Sequence, residues 1–389
     1  MKVLLIHNKY GKFSGEEAVV ESQIKLLKDR GHRVITYFRS SEELATIPNG
    51  KMKAFFTAFY NPKSIKQLTI LIEKEQPDIV HVHNLYPLIS PAILAHIKKM
   101  GVPIAMTVHN YRLLCPNGLF FNDGKICEKC TGKGKELNCL TNNCEDSLFK
   151  SAGYALRNFW ARKNKYYIDN VDAFLCLTEF QKRKLVSNGY PENKFQIIPN
   201  FYDKTIKDVV YDPEQKNYVA FAGRISPEKG IPILLEAAKQ LPHIQFQLAG
   251  EMREDYHKEL TIPENVTLRG MLSQESMKDF YQKASIYIHS SECYEGFPMV
   301  FPEAMAHKLP IIAPNLAGFP EIIESNINGL LFQPGDAKIL ANKIEMLWND
   351  PKFSRKLAEN NFEKVKKTYS SDNYYNKLII AYKNILKNE

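Results

Sequence analysis

Two stretches of the 389-residue chain carry residue types suited to a charged, hydroxyl-rich ligand. The first is Phe221-Ala222-Gly223-Arg224-Ile225-Ser226-Pro227-Glu228-Lys229-Gly230, which follows an apolar run and precedes a helical pattern. Arg224 offers a planar fork and Lys229 a compact charge, a pair able to neutralise a diphosphate. Two surface cations in a loop would read the same way. The second is Glu295-Gly296-Phe297-Pro298-Met299-Val300-Phe301-Pro302-Glu303, a loop running into a helix that starts near Pro302. A helix start offers unpaired N–H groups and the positive end of a dipole, and Gly296 lets the backbone approach a ligand closely. Glu303, on the first turn, could accept hydrogen bonds from vicinal hydroxyls such as those of a ribose, and Glu295 could do so for a sugar. The same spacing suits a glutamate that complements the helix dipole and another that is simply solvated. Neither half carries a G-x-G-x-x-G or a Walker motif, which argues against nicotinamide chemistry and P-loop nucleoside triphosphate hydrolysis.

A third cluster is made of thiols. Cys115, Cys127, Cys130, Cys139 and Cys144 are five of the 7 cysteines, packed into a segment of about 110–150 that is rich in Asn, Gly and Lys. A loop of that length is uncommon inside a domain without a staple. Cys127-x2-Cys130 has zinc-ligand spacing, and a reducing compartment disfavours disulfides. Plain thiols or disulfides are the alternatives. Cys176, in an apolar strand pattern, and Cys293 read as packing residues. Two further stretches mix cations with aromatics: Lys51 to Tyr60, and Lys150 through Arg157, Phe159, Trp160, Arg162 and Lys163 to Tyr167. That mixture suits an anionic bilayer surface. A core-facing aromatic stripe backed by solvated lysines is the commoner arrangement. No nucleic-acid recognition motif accompanies the charge, so nucleic acid is not an expected partner.

The elements that must position these residues come in two series. Apolar runs at Val3–Ile6, Val34–Phe38, Ile79–Val82, Ile104–Val108 and Ala173–Leu177 alternate with helical patterns, the first from Glu16 to Arg30. The pattern restarts with Tyr218–Ala222, Gln245–Ala249, Val266–Leu268, Ile286–His289 and Ile311–Ala313, with helices at about 231–240, 274–283 and 301–308. This is the signature of parallel sheets covered on both faces, so the fold class is α/β with two doubly wound, Rossmann-like domains. Pro199 to Asp203 and the polar stretch through Asn217 form the expected linker. The expected organisation is a first domain over 1–202 with the Cys-rich insertion, a second over 203–370, and a last helix over 371–389.

Composition, with 44% hydrophobic and 24% charged residues, excludes a disordered or fibrous chain. No apolar run approaches the roughly 18 residues of a spanning helix or the core of a signal peptide, so a cytoplasmic protein is expected. The net charge of +9 is uneven. Residues 1–200 hold 29 Lys and Arg against 18 Asp and Glu, a net +11, whereas residues 201–389 hold 23 against 25, a net −2. A basic half joined to a near-neutral one predicts that the first meets something anionic, such as a membrane surface, unless the charge is generic and solubilising.

Taken together, Gly223-Arg224 with Pro227-Glu228-Lys229-Gly230, and Glu295-Gly296-Phe297-Pro298 with Glu303 completing a Glu-x7-Glu pattern, resemble the retaining glycosyltransferases of family 4. The resemblance extends over nearly the whole chain. Gly15 before a helix is similar to the family's acceptor-side glycine loop, although the usual Gly-Gly is here Ser14-Gly15-Glu16. His81-Val82-His83-Asn84 and Thr107-Val108-His109-Asn110 fall where such enzymes have strand-end histidines. The resemblance implies a GT-B fold, with the first domain binding the acceptor, the second the donor across a central cleft, and the final helix crossing back. It implies that Arg224 and Lys229 hold the diphosphate of a nucleotide-sugar donor, a UDP- or GDP-sugar. Glu303 would bind the ribose, Glu295 and the Gly296-Phe297-Pro298 backbone the donor sugar, and His109 the transferred sugar, unless that histidine is structural. It further implies transfer with retention, no catalytic metal, and a glycan or polyprenyl-linked acceptor at the inner face of a membrane. Relatives whose segment starts with a similar His-Asn-Tyr…Leu-Cys-Pro-Asn-Gly run share Cys115, Cys127, Cys130 and Cys144, which implies a structural zinc ligand set that leaves Cys139 out. A sugar-nucleotide epimerase or glycan phosphorylase on the same architecture is the second expectation, and a nucleotide-sugar-binding scaffold without catalysis the third.

Overall fold

The computed structural model describes all residues except 12–13, 47–49, 207–208, 216, 254–255 and 388–389, and leaves aside the side chains of 51, 257 and 259. Residues 207–208 and 216 of the polar linker and the side chain of Lys51 therefore lie outside what is described. The chain divides into two units: residues 1–120, 127–200 and 371–389 form one, and residues 121–126 and 201–370 the other.

The first unit is built on a six-stranded, wholly parallel sheet. Its strands begin with β1 (Lys2–Lys9), β2 (Arg33–Ser40), β3 (Ile79–Val82) and β4 (Ile104–Val108). Along the chain a separate two-stranded ribbon of β5 (Phe121–Asn122) and β6 (Lys125–Ile126), assigned to the second unit, comes before the first unit's β7 (Ala173–Cys176) and β8 (Phe195–Ile197). The sheet order is β2-β1-β3-β4-β7-β8. Val3 to Ile6, Ile79 to Val82 and Ile104 to Val108 are buried throughout, as strands covered on both faces by helices must be. The helix Gly15–Asp29 follows β1, capped by Ser14, whose hydroxyl accepts from the Glu17 N–H.

The closing helix Ser371–Lys387 belongs to this unit. Tyr374 Oη donates to Gln23 Oε1 (2.9 Å), Tyr382 Oη meets His81 Nδ1 (2.6 Å), and Arg30 pairs with Asp372. His81 also meets Thr107 Oγ1 through Nε2 (2.7 Å), so it is an internal tie between helix and sheet rather than a ligand group.

The second unit has its own six-stranded parallel sheet: β9 (Val219–Ala222), β10 (Phe246–Ala249), β11 (Val266–Gly270), β12 (Ile286–Ile288), β13 (Ile311–Pro314) and β14 (Gly329–Phe332). Its order is β11-β10-β9-β12-β13-β14. Phe221, Phe246, Ile286 and Ile312 pack with Leu234, Leu340, Ile344 and Leu357 of the covering helices in one core. Among the described residues no helix is long and apolar enough to cross a membrane.

The two cationic-aromatic stretches form the helices Gly50–Thr57 and Leu148–Lys163. The core-facing stripe expected for the second is not what the helix builds. It buries Ser151, Ala155, Arg157, Asn158 and Ala161, while Leu148, Phe149, Phe159 and Trp160 stay exposed.

Candidate active site

In the second unit the sheet order reverses between β9 and β12, where open α/β sheets bind ligands beyond their strand ends. Both sequence motifs arrive there. β9 runs out into Gly223 and Arg224, and a single 3₁₀ turn, Pro227–Lys229, delivers Lys229. Gly230 closes that turn at φ 66° and leads into the helix Ile231–Lys239. A Cβ at Gly230 would lie 1.8 Å from the Ser290 carbonyl oxygen, so only glycine lets this turn pack on the chain leaving β12. The seam is closed by Ser290 Oγ donating to the Lys229 carbonyl (2.8 Å) and Ser291 Oγ donating to that of Glu228 (3.2 Å).

From the β12 end, His289 Nε2 donates to Glu295 Oε1 at 2.9 Å, and the Lys229 ammonium meets Glu295 Oε2 at 2.7 Å. Burial alone would raise the Glu295 carboxyl. Lys229 and His289 outweigh it and hold the group well below the usual carboxylate range. Burial would likewise lower Lys229, and Glu295 instead lifts it above its ordinary value. Both partners are therefore charged at neutral pH. Glu295 has both oxygens engaged by protein groups, so its first task is to fix Lys229, and a sugar hydroxyl would have to use the remaining lone pairs.

Arg224 is the exposed complement to this buried pair. Its side chain is 61% exposed, with Nη1 3.6 Å from Glu228 Oε1. Glu228 is buried and accepts from Ser226 Oγ (2.8 Å). Arg224 lies close enough for its charge to oppose that of Lys229.

Glu303 sits on the helix Val300–Ala306, where Tyr281 Oη donates to its Oε2 at 2.9 Å. Burial raises its carboxyl, with Tyr281 and Lys204 acting the other way. His307 Nδ1 bonds back to the Glu303 carbonyl (2.8 Å) and stacks on Tyr281, which fixes the turn. The helix starts earlier than expected and presents fewer free donors. The Phe301 N–H is bonded to the Pro298 carbonyl and that of Glu303 to Met299, while Pro302 has none. Gly296, Phe297 and Pro298 are buried, and the Phe297 ring packs edge-on against Tyr369, so this segment offers backbone rather than side chains.

In the first unit the order reverses between β1 and β3. His7 at the end of β1, His83 beyond β3 and His109 beyond β4 meet there, with Glu16 from the helix after β1 and Arg112. His83 Nδ1 and His109 Nε2 are 2.8 Å apart, and His83 Nε2 has no partner. A buried orphan N–H costs more than an orphan lone pair, so His83 donates from Nδ1 and the His109 proton sits on Nδ1. Burial lowers His109 to about 3 and His7 to about 4, the latter against the pull of Glu16. All three histidines are thus neutral hydrogen-bonding groups. Glu16 is raised by burial and accepts from Tyr10 Oη (2.8 Å), which in turn accepts from Arg112 Nη1 (2.9 Å). Gly15 is exposed beside Glu16 and has no left-handed φ, so it contributes open backbone and not a special turn.

The expectations gave no role to several groups that the geometry brings in: His289, Tyr281, Ser226 and Glu228 in the second unit, and Glu16 and Arg112 in the first; His83 was noted only as a strand-end histidine. His289 ends an apolar strand run and Glu16 adjoins Gly15, so those two carried a signal. Tyr281, inside the helix Gln274–Lys283, carried none.

The cysteines do not assemble as expected. Cys115 Sγ donates to Asn117 Oδ1 (2.9 Å), and Cys130 is buried and pushed up to about 12 by that burial, with Cys115, Cys144 and Cys127 adding to it. Cys144 is engaged by Cys139, the residue left out of the expected set. The Cys139 thiol hydrogen-bonds to Cys144, which raises Cys139 and lowers Cys144. Among the described residues no group of three or more Cys, His, Asp or Glu side chains converges to hold a metal ion.

Two Rossmann-like units, one presenting at its switch point a lysine fixed by a carboxylate with an exposed arginine beside it, define a GT-B architecture. The chain belongs to the GT-B glycosyltransferases. Residues 203–364 match the family described as Glycosyl transferases group 1, and residues 13–205 match Glycosyltransferase Family 4. An uncharacterised glycosyltransferase of Methanocaldococcus jannaschii is 27% identical over 94% of each chain. The capsular polysaccharide biosynthesis glycosyltransferase CapM of Staphylococcus aureus is 24% identical over 95% of this chain and 94% of its own. Among solved structures, the sucrose-phosphate synthase of Thermosynechococcus elongatus superposes with a TM-score of 0.75 at 18% identity, covering all of both chains. Anabaena HepE in complex with UDP and glucose gives 0.68 at 17% identity, covering 99% of this chain and 100% of its own. At those identities the structural likeness speaks for the fold.

Proposed function

We propose that this glycosyltransferase moves a hexose from a UDP- or GDP-sugar to a glycan or polyprenyl-linked acceptor in surface polysaccharide synthesis, with retention at the anomeric carbon. The observation that carries the reading is Lys229 held charged between burial and Glu295, with exposed Arg224 beside it. As the C1–O bond to the diphosphate breaks, its electron pair passes to the departing phosphate oxygen. Lys229 and Arg224 would stabilise that charge in place of a metal ion. The acceptor hydroxyl would attack C1 on the same face and pass its proton to the departing phosphate. Glu303, kept ready by Tyr281, would take the ribose hydroxyls, and His109, neutral, would donate from Nδ1 to a sugar hydroxyl. A structural neighbour supports this by analogy: HepE has been solved with UDP and glucose and with UDP-glucose. The donor side would be the second unit, over about 203–370, and the acceptor side the first, at the inner face of a membrane.

The test is a panel of UDP-, GDP- and ADP-sugars scored by thermal shift and slow donor hydrolysis, with and without EDTA. No donor turned over or bound would refute the reading, and turnover that needs added divalent metal would refute its metal-independent part. The zinc expectation is a separate proposal supported by the Cys127-x2-Cys130 spacing and the mutual proximity of the thiols. It requires Cys144 to leave Cys139. Metal analysis of untagged protein decides it, under about a tenth of an equivalent ruling out a closed site.

A further inference from the structure

A cavity of about 350 Å³ lies in the first unit where the helices Gly50–Thr57 and Leu148–Lys163 pass each other. One wall is apolar: Phe55, Ala58 and Phe149, with the Phe55 and Phe149 rings stacked 5.5 Å apart. The apolar surface continues outward, since Phe56 is 64% and Phe149 56% exposed. Gly153 brings the two helices together; a Cβ on it would already meet the Phe55 ring at 3.0 Å.

Two arginines also line the cavity. Arg157 is 5% exposed, sandwiched between the rings of Tyr154 (3.8 Å) and Tyr86 (4.3 Å), and donates through Nη2 to the Pro116 carbonyl (3.1 Å). Arg112 donates through Nη1 to Tyr10 Oη. The Nε of each is buried without a hydrogen-bond partner. Among the described residues neither arginine has a carboxylate in an ion pair; Glu145 and, for Arg112, Glu16 act on them only at longer range. The two cations oppose one another, and Lys150 stands at the rim. A buried guanidinium such as Arg157, with an unused donor and a second cation beside it, is costly unless an anion completes it.

We infer that this cavity is the site for the phosphate of an isoprenoid-type lipid phosphate, with the phosphoryl oxygens on Arg112, Arg157 and Lys150 and the first part of the chain along Phe55 and Phe149. The charged wall next to an exposed aromatic wall matches an amphiphile, not a free glycan, which would leave the aromatic wall bare. The cavity shares Tyr86 and Arg112 with the pocket that holds Glu16, His83 and His109. A sugar attached to the phosphate would therefore extend towards those groups. The inference rests on the glycosyltransfer reading and narrows its acceptor to a lipid-linked one.

The experiment titrates the full chain by calorimetry with farnesyl phosphate below its micelle concentration, and with farnesol and inorganic phosphate alone. Farnesyl phosphate should bind at least about tenfold more tightly than either part. Arg157→Gln should cost about tenfold or more, as should Phe149→Asp, whose side chain is exposed and whose replacement leaves folding intact; Lys150→Ala, also exposed, should cost a few-fold. Binding no tighter than inorganic phosphate overturns the apolar wall, and binding no tighter than farnesol overturns the arginine wall. Unchanged affinity in both Arg157→Gln and Phe149→Asp places the ligand elsewhere and overturns the site. Binding to anionic vesicles without any preference for farnesyl phosphate points to a bilayer contact and likewise overturns it. UDP binding by the same wild-type protein reports separately on the donor side, so failure of the lipid site and failure of the glycosyltransfer reading are distinguishable.

Discussion

The Lys229–Glu295 pair can be tested as a unit. Lys229→Met and Glu295→Gln each leave one buried charge without its main partner, and breaking a buried pair that way costs roughly 3–5 kcal/mol. At about 2–4 °C per kcal/mol for a domain of this size, each single variant should lower the melting temperature of the second unit by roughly 6–20 °C. The double variant removes both charges and should melt above the sum of the two losses by an interaction of about 2 kcal/mol or more. The penalty of the single variants should be flat across neutral pH. Glu295 is depressed, so its contribution is present above about pH 4.3 and lost only as pH falls through its lowered folded value. Lys229 is raised, so its contribution holds below about pH 10.4 and is lost as pH rises through its higher folded value. Donor hydrolysis should not recover with stability: the double variant still lacks a cation at the departing diphosphate and should run about 10²–10³-fold slower. Melting losses that add to within about 0.5 kcal/mol would refute the coupling, and a double variant with normal hydrolysis would refute the role.

Arg224→Ala should leave the melting temperature unchanged, because the side chain is exposed, yet slow donor turnover about 10²-fold; a normal rate would remove it from the site. Tyr281→Phe takes the donor from Glu303 and lets burial push that carboxyl higher still; the donor KM should rise about three- to tenfold with kcat little changed, and a pure kcat effect would contradict ribose binding. His7, His81 and His109 are lowered to about 4, 3 and 3, so between roughly pH 4 and 6.5 the unfolded chain binds more protons than the folded one. Stability of the first unit should therefore fall on acidification from pH 6.5 to 5, by about 2–4 kcal/mol in all, with raised Glu16 opposing part of it; a melting temperature constant over that range would contradict the neutral histidine cluster.

The doubly wound class was legible because strands buried on both faces must be apolar, and ten apolar runs stand out, eight of which the sheets bury; the other two are the edge strands β2 and β11. The two strands that did not stand out, β8 and β14, are short edges: Phe195-Gln196-Ile197 is broken by an amide and Gly329-Leu330-Leu331-Phe332 opens on a glycine. Arg224, Lys229, Glu295 and Glu303 stood out as candidates by residue type, because few side chains suit a diphosphate and a diol. Their partners were not. Lys229 meets Glu295 only because Gly230 lets one strand-end turn press on another, a contact set by tertiary packing and absent from local spacing. The amphipathic reading of Leu148–Lys163 failed for a related reason: the helix turns a small and polar face inward to seat Arg157 and Asn158, which composition cannot reveal.

Net charge also proved a poor guide to where an anion would bind. The half of the chain that carries the diphosphate candidates is net −2, and it offers there one cation fixed by a carboxylate and one exposed cation 3.6 Å from Glu228. In the +11 half a merely solubilising excess would sit on exposed, flexible positions. Arg162 is instead partly buried, but it is balanced, pairing with Glu136 at 2.8 Å and donating to the carbonyls of Gly132 and Leu114. Arg157 has no such counterpart: it is buried and burial lowers it, whereas partly buried Arg112 has its charge supported by Tyr10 and Glu16. The same helix that balances Arg162 therefore carries Arg157 in a different electrostatic role, and that contrast within one helix, rather than the total charge, separates a structural arginine from one waiting for a phosphate.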